Sequence, residues 1–535
     1  MYTKRFIEHL NNSAPTLSCK IGQTILSLYF IVMAVVYPYY APGGYLRIGE
    51  AKYIFFRNVT LAVMAAMLVV VLCTMIRRPG FLTDYYHRMS VTDWSAYGYF
   101  VAVMLSYLTS AYKKEAFWGA EGWYMGTVMQ MMLVLLYFFF SRYFVCRGGC
   151  LALWMFAAAG VFILGILNRY SIYPIVMEGQ TPVFISTLGN INWFCGYWSV
   201  TAPIGITLYW CSEKRWQRAA AGFYSIVAML AGVVQGSESA YLVFGAVFVA
   251  LLLFSLHSAQ HLCRWLELGM LFAAGCQLGR ILRYLPGFRM NYGSDVNGGG
   301  PMVMERLTDS NVTLWVLGIL LAGYVVLKLW GRKKGVVIWI PIVVLVFCIG
   351  LWGRTMTGGL LHDGADRSVP GQDMMSDEGR DDSQIKWFPD DWGNGRGTAW
   401  ICSMEAYRGL DTLHKIFGVG PDCFAAYIYE VPVLAGRLVE KFGNERLTNA
   451  HNEALSILIN MGALGLLCYV GFVGSALVRY NRNAGRKPIL YICAICLLAY
   501  TVHNMVSFQQ VLNTPYFFIL LGMGEGILRE DREKI

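Results

Sequence analysis

Charge is what this chain has least of. Only 14% of its 535 residues are Asp, Glu, Lys or Arg, and 56% are hydrophobic, whereas soluble domains are about a quarter charged. That balance excludes a water-soluble protein divided into domains with polar surfaces. A concentrated basic face is also missing. The formal net charge is +10, but the lysines and arginines are scattered over short loops, which argues against a nucleic-acid footprint. Metal-ligand spacing is absent too. The fourteen cysteines lie mostly inside apolar runs, where they act as small apolar residues. "CRGGC" (146–150) lacks a second ligand pair and reads as structural. Cys402 and Cys423 can pair, although nothing in their spacing demands it. No cleavable signal peptide is apparent, because the first apolar run follows a basic tail and is about twenty residues long, as an uncleaved anchor is.

What the chain has instead is apolar runs of roughly 18–22 residues, the length of helix that crosses ~30 Å of hydrocarbon. They fall near 22–40, 58–76, 93–111, 122–141, 150–168, 193–211, 218–235, 239–256, 265–283, 311–330, 335–353, 453–478, 488–507 and 512–528. The expected fold is therefore all-α and polytopic, with about fourteen transmembrane helices. Eleven would lie in residues 1–353 and three in 453–535, with a large loop between them at 354–452. The basic stretches "SEKRWQR" (212–218), "WGRKKG" (330–335), "RYNRNAGRK" (479–487) and "REDREKI" (529–535) fall on one side by alternation. Positive loops stay cytoplasmic, so both termini are expected there and the long loop outside.

Loops of 354–452's length are uncommon and usually functional. Residues 361–392 are rich in Asp, Gly and Ser and read as flexible. Their acidic pairs Asp381/Asp382 and Asp390/Asp391 read as solvated rather than metal-binding. Residues 396–440 carry amphipathic stretches expected to lie as helices on the membrane surface. Shorter external loops are expected at 41–57, 169–192 and 284–310.

"NAHNEALSILINMGALG" (449–465) then raises a question, because it sets a histidine and an asparagine at the mouth of an apolar helix. In a continuous helix, Gly462 lies within ~20° of His451 and Gly465 within ~40°, roughly 16 Å deeper. The stretch then describes one face, packed closely against a neighbouring helix below and polar above. The positive helix end disfavours imidazolium and keeps His451 able to accept a proton. The plainer reading is a capping histidine.

His451-Asn452, nine residues, Gly462, two residues and Gly465 resembles the pattern of the O-antigen ligase and polymerase family. Three further stretches agree. "GNGRGTAWICSMEAYRGLDTLHKIFGVGPDCF" (393–424) is similar to the family's Arg-x-x-x-Trp stretch leading into a Gly-x-Gly turn. "STLGNINWFCGYWSVTAPIGI" (186–206) is similar to its Gly-Asn-x-Asn helix entry. "VVQGSESAYLVFGA" (233–246) stands where the family often has Ser-Arg-Gly, so Glu238 occupies a position where many members place arginine. The resemblance covers roughly 180–525.

It implies a type C glycosyltransferase-like enzyme of the plasma (inner) membrane that works in surface polysaccharide assembly. Its active site would lie on the extracytoplasmic face, and it would need no cofactor and no metal. The donor is a polyprenyl-diphosphate-linked glycan such as an undecaprenyl diphosphate conjugate. The acceptor is a lipid-linked or surface hydroxyl, and other polysaccharide-assembly proteins are partners. Transfer inverts the anomeric centre. His451 is expected as general base and Arg396 as the bidentate cation for the leaving diphosphate. Asn190, Asn192, Glu238 and Asn452 are expected to bind substrate. The plainer readings are helix caps for Asn190 and Asn192, an ion pair with Arg280 or Arg283 for Glu238, and anchorage of a surface helix for Arg396.

Two other classes compete. A non-catalytic transporter or flippase for polysaccharide or lipid-linked glycan would need polar or broken helices at mid-membrane, whereas the spans here are nearly free of charge. A receptor or assembly scaffold explains the long loop but not the shared face of His451 and its glycines. Ligase and polymerase differ only in acceptor, and the sequence does not separate them.

Overall fold

The computed structural model describes residues 17–77, 80–291, 299–309, 311–330, 339–347, 392–443 and 445–529. It is predominantly helical. The helices that matter below are α1 (Leu17–Ile31), α2 (Ile48–Arg77), α3 (Val91–Thr109), α4 (Thr127–Tyr143), α5 (Gly148–Arg169), α6 (Ile191–Cys211), α7 (Arg215–Val234), α8 (Ser239–Ser255), α9 (Ala259–Tyr284), α10 (Val312–Trp330), α11 (Trp392–Gly409), α12 (Thr412–Phe417), α13 (Pro432–Phe442), α14 (Glu453–Ala484), α15 (Ile489–Asn504) and α16 (Thr514–Arg529). A two-residue antiparallel pair, β1 (Phe184–Ile185) and β2 (Gly189–Asn190), leads into α6.

Among the described residues six helices are long and apolar enough to cross a bilayer: Leu17–Tyr39, α2, α5, α7, α10 and α14. Apolar but shorter helices include α4, α8 and α15. These criteria return fewer spans than the fourteen expected from sequence. The Asp pairs at 381/382 and 390/391 lie outside the described residues, as does most of the 361–392 stretch. The segment 41–57, expected as a loop, is helical from Ile48, and Lys52 is fully buried there. Its ammonium donates to the carbonyls of Tyr37 and Pro38, at 2.8 and 3.0 Å. A π-turn and a 3-10 turn interrupt the helix at Val32–Tyr39, and the lysine satisfies carbonyls that this irregular backbone releases.

Two cores organise the packing. The larger runs through the bundle, where α14 lies along α3, α16 along α4, and α15 and α7 on α6. The smaller belongs to the segment 392–459, with Ala399, Cys402, Ala406, Phe424, Ile428, Leu434, Leu438 and Leu447 buried together over Ala116. That segment therefore has its own packed interior beyond the surface helices expected from sequence. On α13, Leu434 and Leu438 turn inward while Val433 and Val439 stay exposed. Cys402 and Cys423 are both buried here and are not joined by a disulfide.

The smaller core is fastened to the bundle through a break in α14. Gly462 has φ 68° and ψ −176°, a conformation essentially restricted to glycine. The break frees the carbonyls of Ile459 and Asn460, which accept from the amides of Val419 and Gly420 at 3.0 and 2.9 Å. Ser106 Oγ on α3 donates to the Asn460 carbonyl at 2.7 Å, and Ser110 Oγ donates to that of Val419 at 2.6 Å. Broken backbone is tolerated at membrane depth only when it is re-satisfied in this way. Gly462 thus makes room for the Ile416–Gly418 backbone, the C-terminal end of α12 and the residue after it. The shared face of His451 and Gly462 is lost as well, because α14 starts after His451 and is interrupted before its second turn pair is complete.

Gly462→Ala should sharply lower the yield of folded protein and its Tm, since a Cβ there meets the Ile416 carbonyl in a backbone conformation alanine rarely adopts. Gly474→Ala on the same helix, where a Cβ meets nothing within 4 Å, should be near neutral. Size-exclusion yield and thermal melting in detergent compare the two, and equal behaviour would mean the break is not needed.

Candidate active site

The six residues expected from sequence start from four separate segments. Asn190 caps α6, its Oδ1 accepting the Asn192 amide at 2.8 Å, so its side chain does the structural work the plainer reading assigned to it. The Asn192 side chain reaches instead to the turn before α8, accepting Ser237 Oγ at 2.8 Å. Ser237 and Ser239 are hydrogen-bonded at 2.8 Å, and Ser239 Oγ lies 3.1 Å from Nδ1 of the buried His503. Glu238, in the same turn, has a carboxylate oxygen 3.9 Å from Arg396 Nη1. The sequence offered Arg280 or Arg283 as its partner, but Arg280 bonds Asn311 and Arg283 pairs with Asp309.

Arg396, on α11, is held by two carbonyls, donating from Nε to Val506 at 3.2 Å and from Nη1 to Gly393 at 3.1 Å. Nη2 has no hydrogen-bond partner among the described residues. With Nε and Nη1 engaged on different edges, Nη2 is the open charged donor of the guanidinium, suited to an anion.

Asn452 is the N-cap of α14, with Oδ1 accepting the Leu455 amide at 3.0 Å and Nδ2 donating to the Met505 carbonyl at 2.9 Å. His451 therefore precedes the helix and is not part of its first turn. Its φ of 48° is left-handed, a strained setting that the surrounding contacts must impose. Its amide donates to Asn449 Oδ1 at 3.0 Å, and its ring meets Phe508 edge-on, centroids 5.5 Å apart. Burial, and then the nearby Arg396 charge, push the imidazole down from its usual range to about 4. The ring is neutral near pH 7 and able to accept a proton.

Three of these contacts converge on one turn, Asn504–Gln510, which no motif in the sequence marks. Met505 and Val506 supply carbonyls to Asn452 and Arg396, Phe508 backs His451, and Asn504 and Gln509 donate to the buried Glu453 carboxylate. The Gln509–Glu453 bond is 2.9 Å. Gln130 Nε2 donates in turn to Gln509 Oε1 at 2.8 Å, and Tyr99 donates to Gln130 at 2.9 Å, tying the turn to α3 and α4. The one local signal for Glu453 is its place directly after His451-Asn452 at a helix start, where a carboxylate is favoured.

The ring system continues outward. Phe508 meets Trp123 at 4.7 Å, and Trp123 meets Trp193 at 5.9 Å, both close to perpendicular. Trp193 directly follows Asn192. Contacts and adjacency along the chain link Arg396, Glu238, Ser237, Asn192, Trp193, Trp123, Phe508 and His451 in a circuit that the Arg396 charge near His451 completes. One arc is polar and the other aromatic.

Residues 306–470 match the family model described as O-antigen ligase. That match takes in Arg396, His451 and Asn452. Asn190, Asn192 and Glu238 lie N-terminal to it, and the turn at 504–510 lies C-terminal. No curated protein matches the chain.

Glu453→Ala would leave the Asn504 and Gln509 donors buried without their acceptor, at about 1–3 kcal/mol for each orphaned group. A Tm drop of several degrees with loss of activity is expected, while a melt matching wild type would show that the turn is held otherwise.

Proposed function

We propose that this protein transfers glycan from a polyprenyl-diphosphate-linked donor to an acceptor hydroxyl at the extracytoplasmic face of the membrane, with inversion. The reading rests on the family match and on one observation: a neutral histidine and an arginine with an open Nη2 both contact the same turn. The acceptor oxygen attacks the anomeric carbon and forms the new glycosidic bond. The bond from that carbon to the diphosphate oxygen breaks, and its electron pair leaves with the lipid diphosphate. The acceptor's proton passes to His451. Arg396 stabilises the charge growing on the leaving group, with Glu238 limiting its swing. Asn452 orients the acceptor side, and Asn192 keeps the Ser237–Glu238 turn in place. Both termini are placed in the cytoplasm by the basic-loop pattern.

His451→Ala should lower transfer by roughly 10²–10⁴, the range for loss of a general base, with folding retained. Arg396→Lys keeps charge without the planar fork and should also cut transfer strongly. The pH profile adds a sign. Protonation removes the base, so kcat/KM should fall on the acid side only near pH 4. In kcat the limb should move upward, because the bound diphosphate offsets the Arg396 charge that helps depress His451. Purified enzyme with a polyprenyl-diphosphate glycan gives all three readouts. Near-normal transfer by His451→Ala would reduce the histidine to a structural role.

Cysteines introduced at exposed positions of α13 should label in intact cells, and one at Arg486 only after permeabilisation. The reverse pattern would place the site on the cytoplasmic face.

A further inference from the structure

The aromatic arc of the circuit has no task in the transfer step just described. Trp123 and Trp193 are half-buried, and among the described residues neither indole N–H is engaged in a hydrogen bond. Phe508, by contrast, is 8% exposed and serves as backing between Trp123 and His451. Both tryptophans are held firmly. The 119–126 turn is clamped by the Asp422 carboxylate, which accepts the amides of Ala120 and Met125 at 2.8 and 2.9 Å on either side of Trp123. Trp193 lies in the first turn of α6, behind the Asn190 cap, and packs against Phe184 at 6.1 Å.

Two rigid, partly open indoles with unused donors, starting one ring away from the base, match the chemistry of a sugar. A pyranose presents an apolar C–H face that stacks on an aromatic surface and a rim of hydroxyls that accept from N–H. A lipid tail would match the apolar surface but not the donors. A diphosphate would take the donors but belongs at the guanidinium on the opposite arc.

We propose that Trp123 and Trp193 form a sugar-stacking subsite that holds the pyranose ring nearest the reacting bond, opposite the diphosphate seat at Arg396. This rests on the glycan-transfer reading above. The sugar can come from the donor glycan or from the acceptor, and the chemistry of recognition is the same. The arc fixes ring orientation, which determines which hydroxyl or which anomeric face meets His451.

The test uses the purified full-length protein and three probes: undecaprenyl diphosphate, undecaprenyl-diphosphate-N-acetylglucosamine, and N,N′-diacetylchitobiose added in the presence of undecaprenyl diphosphate. In the wild-type protein the attached sugar should tighten binding of the lipid probe, or the disaccharide should bind beside it, with a gain of roughly 3- to 10-fold, the range of one aromatic stacking contact. In W123A/W193A that gain should vanish while undecaprenyl diphosphate alone binds as before. In W123F/W193F, which keeps aromatic faces without the N–H groups, part of the gain should remain, so a folding defect is told apart from a lost platform. Loss confined to the lipid-linked sugar assigns the subsite to the donor, and loss confined to the disaccharide assigns it to the acceptor. A full gain in W123A/W193A overturns the subsite. So does a wild-type protein that binds undecaprenyl diphosphate but gains nothing from either sugar, because stacking reads a face common to pyranoses. Failure of wild type to bind undecaprenyl diphosphate at all overturns the glycan-transfer reading itself.

Discussion

A buried carboxylate is costly unless its oxygens are satisfied, and Glu453 is 5% exposed between helices of an apolar bundle. Its hydrogen bonds to Asn504 and Gln509 are therefore a constraint on where the Asn504–Gln510 turn can lie. The turn in turn offers main-chain carbonyls outward to Asn452 and Arg396. The backbone of one short connection is thereby read by both sides: the core fixes it from within, and Asn452 and Arg396 take their positions from it. Hydrogen bonds of this kind tolerate little displacement, so Asn452 and Arg396, from different helices, are held to the same short connection.

The stitched break in α14 plays the same part for the segment 392–459. A helix with all its carbonyls engaged has nothing to offer a neighbouring loop. By leaving the helical conformation at Gly462, the chain exposes two acceptors where the Gly418-Val419-Gly420 turn can use them. The small core beneath α11 and α13 is thus joined to the bundle by backbone bonds as well as by contact, and α11 delivers Arg396 from a platform that is itself anchored.

Much of this was readable from the residues. The apolar runs revealed a helical membrane protein, and Arg396, Glu238, Asn192 and His451 lie around one circuit with Asn452 bonded to the turn beside it, although their roles rest on proposal. Asn190 was readable too, but its cap geometry favours the plain alternative. What could not be read depends on tertiary satisfaction. Helical periodicity assumes an unbroken helix, so it misplaced Gly462, whose purpose is to break one. Hydropathy treats Glu453 and Lys52 as penalties at their positions, because the partners that make them tolerable come from residues 504–509 and 37–38. Trp123, Trp193 and Phe508 were indistinguishable from dozens of other aromatics until packing aligned them.

The circuit has a modular consequence. Arg396 and His451 lie inside the segment that matches the O-antigen ligase model, whereas both tryptophans come from stretches well before it. The two arcs are therefore encoded apart, and a substitution in the connection at 119–126 or at the head of α6 alters the aromatic wall without touching Arg396 or His451. A chain built this way can reshape that wall while the histidine and the arginine stay unaltered.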